Sequence, residues 1–100
     1  MNDTQKYLFD LQGYLVLPDV VPAATIKACN TALDRFEQMP SEDYPSPLCL
    51  GQERSPENLY ISNIIEGDDV FLDLMDIPTV LDAVETITGG PHRLNHTYTI

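Results

Sequence analysis

The sequence is poor in positive charge. Only 5 of its 100 residues are Lys or Arg, against 16 Asp and Glu, so the formal net charge is −11. Proteins that bind nucleic acid neutralise phosphates with Lys and Arg, and anionic membrane surfaces attract polybasic segments. The composition therefore predicts no nucleic-acid partner and no membrane partner.

Long apolar runs and a secretory leader are also missing. No run approaches the roughly 20 apolar residues of a membrane span, and residues 1–4 lack the basic start of a signal peptide. We therefore expect a cytoplasmic protein. Cys29 and Cys49 form no Cys-x-x-Cys motif, so in a reducing compartment both are expected to be packing residues.

What remains is ordinary globular composition, with 43% apolar and 21% charged residues. The length suits one α+β domain covering residues 1–100. Its first helix is predicted from Thr4 to Leu11, capped by Asp3 or Thr4 and ended by Gly13. The compact apolar run Tyr14 to Leu17 then predicts a buried strand.

A second helix is predicted from Pro22, because proline is tolerated in a first turn. The apolar residues that recur at helical spacing, and are therefore expected to face the core, are Ile26, Cys29, Leu33 and Phe36. The Pro-rich stretch from Met39 to Pro56 predicts a long irregular loop. Such a loop is either functional or a plain connector.

The second half of the chain also combines extended and helical patterns. Tyr60 to Ile65 is rich in β-formers and predicts an extended segment. Asp68-Asp69 suits a helix start better than a catalytic dyad. Pro78 opens a further helix that Gly89-Gly90-Pro91 ends. The final stretch, Arg93 to Ile100, alternates like a strand, with Leu94, His96, Tyr98 and Ile100 on one face.

Two histidines raise the question of a metal site. His92 and His96 have the four-residue spacing that brings two rings to one ion on a helix, but they follow Gly-Gly-Pro. In extended chain, at about 3.3 Å per residue, they lie roughly 13 Å apart. No metal site is therefore expected in this chain, and neither a phosphate-binding loop nor a nucleophile elbow occurs.

The order of the motifs resembles the phytanoyl-CoA dioxygenase family. "YLFDLQGYLVLPDVVPAATIKACNTALDRFE" is similar to the opening of that family, where Phe9, Gly13, Tyr14, Val16 and Leu17 fill the phrase F-x-x-x-G-Y-x-V-L. "ISNIIEGDDVFLDLMDIPTVLDAVETITGGPHRLNHTYTI" is similar to its next block. The resemblance covers nearly the whole chain.

That resemblance implies a non-haem Fe(II) oxygenase built on a double-stranded β-helix (jelly roll), with 2-oxoglutarate as cosubstrate and a small-molecule substrate. Its iron is held by His-x-Asp/Glu and a distal His. This chain contains no such motif, so it is expected to provide no catalytic residue and no metal ligand. By the resemblance, Tyr98 and His96 line the cosubstrate pocket, and a position that carries a cosubstrate-contacting Lys in some members corresponds to Asn63.

The first hypothesis is therefore an N-terminal fragment of such an oxygenase, with the first strands of an incomplete jelly roll, since two or three strands are fewer than the eight required. Alone, it is expected to bind neither Fe(II) nor 2-oxoglutarate productively and to be inactive. For the fragment, self-association through the exposed strand edge is expected. The alternative is a small acidic interaction module without catalysis that pairs with a partner through the strand edge at residues 93–100.

Overall fold

A computed structural model describes residues 1–100 as three α-helices and one small antiparallel sheet. The helices are α1 (Asp3–Gln12), α2 (Ala23–Gln38) and α3 (Pro78–Thr88), and the strands are β1 (Cys49–Leu50), β2 (Ile61–Ser62) and β3 (Tyr98–Thr99). Short 3₁₀ turns occupy Ser41–Asp43, Ile64–Glu66 and Asp69–Leu74. The strand order is β1-β2-β3.

Helix α1 begins one residue earlier than the sequence pattern predicted. Asn2 caps it in a reciprocal arrangement: its Oδ1 accepts from the Gln5 N–H at 2.8 Å, and Gln5 Oε1 accepts from the Asn2 N–H at 2.9 Å. The prediction of Asp3 or Thr4 as the cap was wrong. Gly13 ends the helix with φ 76°, as predicted, and its N–H donates to the Phe9 carbonyl.

Helix α2 provides one wall of the core. Cys29, Ala32 and Phe36 are buried along it, whereas Ile26 is 48% exposed, so the predicted apolar stripe is wrong at its first member. The core cluster that packs against this helix comprises Tyr44, Leu48, Ile61, Ile64 and Phe71. This cluster joins the helix to the sheet and to the loop between them.

The Pro-rich stretch 39–56 is anchored rather than free. Tyr44 meets the Phe36 ring edge-on, with centroids 5.9 Å apart, and its hydroxyl donates to the Phe36 carbonyl at 3.1 Å. Leu48 is also buried. Residues after Leu48 then form β1, which the prediction of an irregular loop missed.

Asp68 was predicted as a helix-capping residue, and the structure confirms this, although the helix is a 3₁₀ segment. Its carboxylate accepts from the Val70 N–H at 3.0 Å and from Arg35 Nη2 at 2.9 Å. These two interactions, in that order of size, lower the pKa of the Asp68 carboxyl below its ordinary value of 3.8. Arg35 thereby fastens α2 to the 3₁₀ segment.

Two predicted strands are shorter or missing. Tyr14 to Leu17 forms no strand, because residues 14–17 make no backbone hydrogen bond to another segment. Within Arg93 to Ile100 only Tyr98–Thr99 pairs with β2. A β-strand needs a neighbour to satisfy its backbone, and these residues find too few within the chain.

Much apolar surface is uncovered. A compact protein of this mass exposes about 5,700 Å², whereas this chain exposes 7251 Å². Its radius of gyration is 16.2 Å, against about 13 Å for a compact domain of this length. Tyr7 and Leu11 on α1, and Val16 at 70% exposure, are among the uncovered side chains. The core therefore occupies only part of the molecule.

The Asp68–Arg35 pair predicts a specific acid sensitivity. Because the pKa of Asp68 is depressed in the folded state, its stabilisation is present above pH 3.8 and disappears as the pH falls through the lower folded value. Asp68→Asn keeps a capping oxygen but loses the ion pair. We expect it to lower the urea midpoint at pH 7 and to converge with the original chain in acid. Asp69→Asn, at the exposed neighbour, is the control; the same pH-dependent difference there would contradict the assignment.

Candidate functional site

The register of the sheet separates its side chains onto two faces. Leu50, Ile61 and Thr99 are cross-strand partners and share the face that packs on the core. The opposite face presents Cys49, Tyr60, Ser62, His96 and Tyr98, and is called here the aromatic face. Because successive side chains in a strand point to opposite sides, burial of Ile61 places its neighbours Tyr60 and Ser62 on this outer surface.

Three rings form a ladder across the aromatic face. The Tyr60 and Tyr98 rings stack with centroids 5.2 Å apart and planes 19° from parallel. The His96 ring stacks on Tyr98 at 5.6 Å and 10°. Such pairs contribute about 0.5–1.5 kcal/mol each beyond their buried area. Tyr98 is nevertheless 48% exposed, so the ladder is ordered by stacking and remains accessible.

Gly51 makes the position of Tyr60 possible. A Cβ atom on Gly51 would lie 1.7 Å from Cδ1 of Tyr60, which is far inside van der Waals contact. The Gly51 N–H also donates to the Tyr60 carbonyl at 2.9 Å. Only glycine therefore allows the ring to lie across this end of β1. In the sequence, Gly51 is indistinguishable from an ordinary loop glycine.

Both residues that the resemblance indicates, Tyr98 and His96, lie side by side on the aromatic face. Tyr60 joins them and was not expected there from the sequence, because its position depends on the register between β2 and β3. Asn63 lies elsewhere: its φ is 62°, and its Nδ2 donates to the Pro47 carbonyl at 3.1 Å. Its side chain is thus engaged with the loop.

The aromatic face suits an anionic or planar small molecule better than a metal ion. It carries one imidazole, two phenols, one hydroxyl and one thiol, but no carboxylate, and no group of three metal-ligating side chains occurs in the chain. His92 is exposed and lies outside the ladder. The residues present therefore do not fit a facial iron triad, whereas hydroxyl and imidazole N–H groups can donate to a carboxylate.

Comparisons with protein-family models, curated proteins and solved structures find no match to this chain. None of its helices combines the length and apolar character needed to cross a bilayer.

The two cysteines should differ sharply in reactivity. Cys29 is buried in the core, and burial, followed by the charges of Asp73 and Asp68, raises the pKa of its thiol. Cys49 is exposed on the aromatic face, so only Cys29 fits the prediction that both are packing residues.

We expect one thiol per native chain to react quickly with an aromatic disulfide reagent at neutral pH, and two thiols to react in denaturant. Cys49→Ser should remove the fast reaction and Cys29→Ser should leave it; equal native rates would contradict the burial of Cys29.

Proposed function

We propose that this chain is the N-terminal part of an Fe(II)- and 2-oxoglutarate-dependent oxygenase, and that its aromatic face lines the cosubstrate pocket. The complete enzyme acts on a small molecule in the cytoplasm. In a double-stranded β-helix two sheets face each other, and the ligand pocket lies between them. The aromatic face would form part of one inner wall.

The observation that carries this proposal is the accessible ring ladder on a sheet whose other face is buried. Ladders of stacked aromatic rings on a sheet surface are apolar area that a second layer normally covers. The polar groups of these rings are potential donors, namely the hydroxyls of Tyr60 and Tyr98 and the imidazole of His96. A covered, donor-rich wall is what a dicarboxylate requires.

The extended run Tyr14 to Leu17 supports the same proposal independently. Tyr14 and Val16 are exposed while Leu15 and Leu17 are half-buried, which is the period of a strand. Its backbone groups make no hydrogen bond within the chain. A segment with strand periodicity and free backbone groups is expected where residues 1–100 contribute only some of the strands of a larger sheet.

The roles follow from this arrangement. Tyr98 and His96 would donate hydrogen bonds to the oxoglutarate carboxylate or keto oxygen and hold it by stacking. The loop 39–56, which carries Cys49 into the aromatic face, would border the substrate. Bound iron supplies the oxidising chemistry, and its His-x-Asp/Glu and distal His ligands, together with a basic residue for the cosubstrate, would come from outside residues 1–100.

A second candidate is an acidic interaction module without catalysis. The observation that favours it is the open edge of β3, which pairs with β2 on one side only. Open edges recruit extended peptides through backbone hydrogen bonds. The aromatic face would then be a recognition surface rather than a cosubstrate wall.

The oxygenase proposal predicts the properties of a longer natural product. Its coding sequence should extend past Ile100 through a His-x-Asp/Glu motif, and its intact mass should match. It should bind one Fe(II) per chain, whereas the 100-residue chain binds none stoichiometrically.

In the longer product, Tyr98→Phe removes a charge-assisted hydrogen bond, so the KM for 2-oxoglutarate should rise about tenfold or more, with a smaller change in kcat. Tyr7→Phe, on exposed α1, is the control. A natural product that ends at Ile100 would overturn the proposal.

Solution behaviour separates the two candidates. A part of a larger sheet exposes apolar surface, so the 100-residue chain should bind hydrophobic dyes and self-associate with rising concentration. An interaction module should instead unfold cooperatively as a monomer or defined dimer without dye binding. Dye fluorescence and sedimentation measured on one sample distinguish these outcomes, and a dye-silent cooperative monomer would favour the module.

A further inference from the structure

A gap in the sheet lies beside Leu59. In the segment around β2, the Asn63 N–H donates to Thr97 at 2.8 Å, towards β3, whereas the Tyr60 carbonyl accepts from Gly51 on the β1 side. Backbone groups of an antiparallel strand alternate in this way. Leu59 therefore directs its N–H and C=O towards the β3 side. No hydrogen bond in the structure uses either group.

An apolar cleft adjoins these free groups. It has a volume of about 170 Å³, and Leu33, Leu59 and Ile61 line its floor. Thr99 and Ile100 form the wall on the β3 side. A cavity of about 150 Å³ is enough to hold benzene, so this cleft has room for one branched aliphatic side chain. Such a side chain would complete the face of the sheet that packs on α2.

The rim of the cleft is acidic. Asp34 and Glu37 of α2 stand on one side, and a second depression that shares Glu37 and Leu59 continues along residues 54–58 and includes Glu57. Arg54 Nη1 donates to the Met39 carbonyl at 3.0 Å. Together the two depressions carry three carboxylates, of Asp34, Glu37 and Glu57, against the one guanidinium of Arg54. Their net negative charge favours a segment of positive charge.

We propose that this cleft receives an extended segment in line with β3, antiparallel to the chain at Leu59. One of its residues exchanges both backbone hydrogen bonds with Leu59 and packs an apolar side chain against Leu33 and Leu59. A neighbouring Lys or Arg meets the acidic rim. For the source of the segment the inference rests on the proposed function, in which a further part of the same oxygenase sheet provides it.

A second copy of this chain is a poor occupant. Each chain carries a net charge of −11, so two copies repel each other as whole molecules. Like charges opposed across an interface disfavour association. The occupant is therefore a segment whose local charge is positive.

The test uses two four-residue extensions appended after Ile100, Val-Thr-Lys-Gly and Thr-Val-Lys-Gly. They have the same composition, but exchanging the first two residues moves the valine to the opposite face of the strand. Amide hydrogen exchange of Leu59 is measured by NMR. With valine first, we expect exchange of the Leu59 amide to slow roughly tenfold relative to the 100-residue chain, because its N–H gains a partner. With threonine first, we expect little change.

The Tyr60 amide, which lies on the β1 side, is the internal control and should not change. Glu37→Gln in the valine-first chain should reduce the protection of Leu59 about two- to fivefold, as expected for an exposed ion pair. Equal protection by both extensions, or none by either, would overturn the proposal. These outcomes are independent of the iron and oxoglutarate measurements on the longer product, so either proposal can fail while the other stands.

Discussion

The contact between Phe36 and Tyr44 organises the rest of the molecule. Phe36 is 1% exposed at the centre of the core, and Tyr44 both packs against its ring and donates to its backbone. That pairing fixes where the chain leaves α2 and turns back towards the sheet. Leu48 follows into the same core, so β1 begins at a defined place. The register of β1 on β2, and with it the aromatic face, depends on this anchor.

The two faces of the sheet differ in how far they are covered. On the covered face, α2 and the 3₁₀ segments pack over Ile61, and the Arg35–Asp68 pair links these elements to each other. On the other side, rings, a thiol and hydroxyls remain accessible. Sheets that carry ligand sites are commonly buried on one face and accessible on the other. The same asymmetry explains the large accessible area of so short a chain.

Sequence patterns predicted the parts governed by local rules. The three helices, the αL glycines at Gly13 and Gly89, and the Asp68 cap follow from propensity and capping chemistry, which act within a few residues. Strands were less predictable: Tyr14 to Leu17 has the apolar character of one but lacks a partner, and β1 was hidden in a Pro-rich stretch. Pairing is a non-local property, so residue types alone do not determine it.

The candidate site shows the same limit. Tyr98 and His96 were indicated by resemblance, and strand alternation correctly placed them on one face. Tyr60 was not foreseen, because its role depends on the register between β2 and β3 and on the absence of a side chain at Gly51. Neither condition leaves a pattern that can be recognised before the strands are paired.

Gly51 has a consequence for how such a protein can diversify. The ring of Tyr60 occupies the space that a side chain at position 51 would need, so the connection between β1 and β2 is constrained to glycine there. Residues 52–57, which follow it, are exposed. Insertions and exchanges within 52–57 would reshape the depression beside Glu37 and leave the ring ladder in place. The exposed turn at residues 52–57 and the ring ladder beside Gly51 can therefore vary separately in sequence.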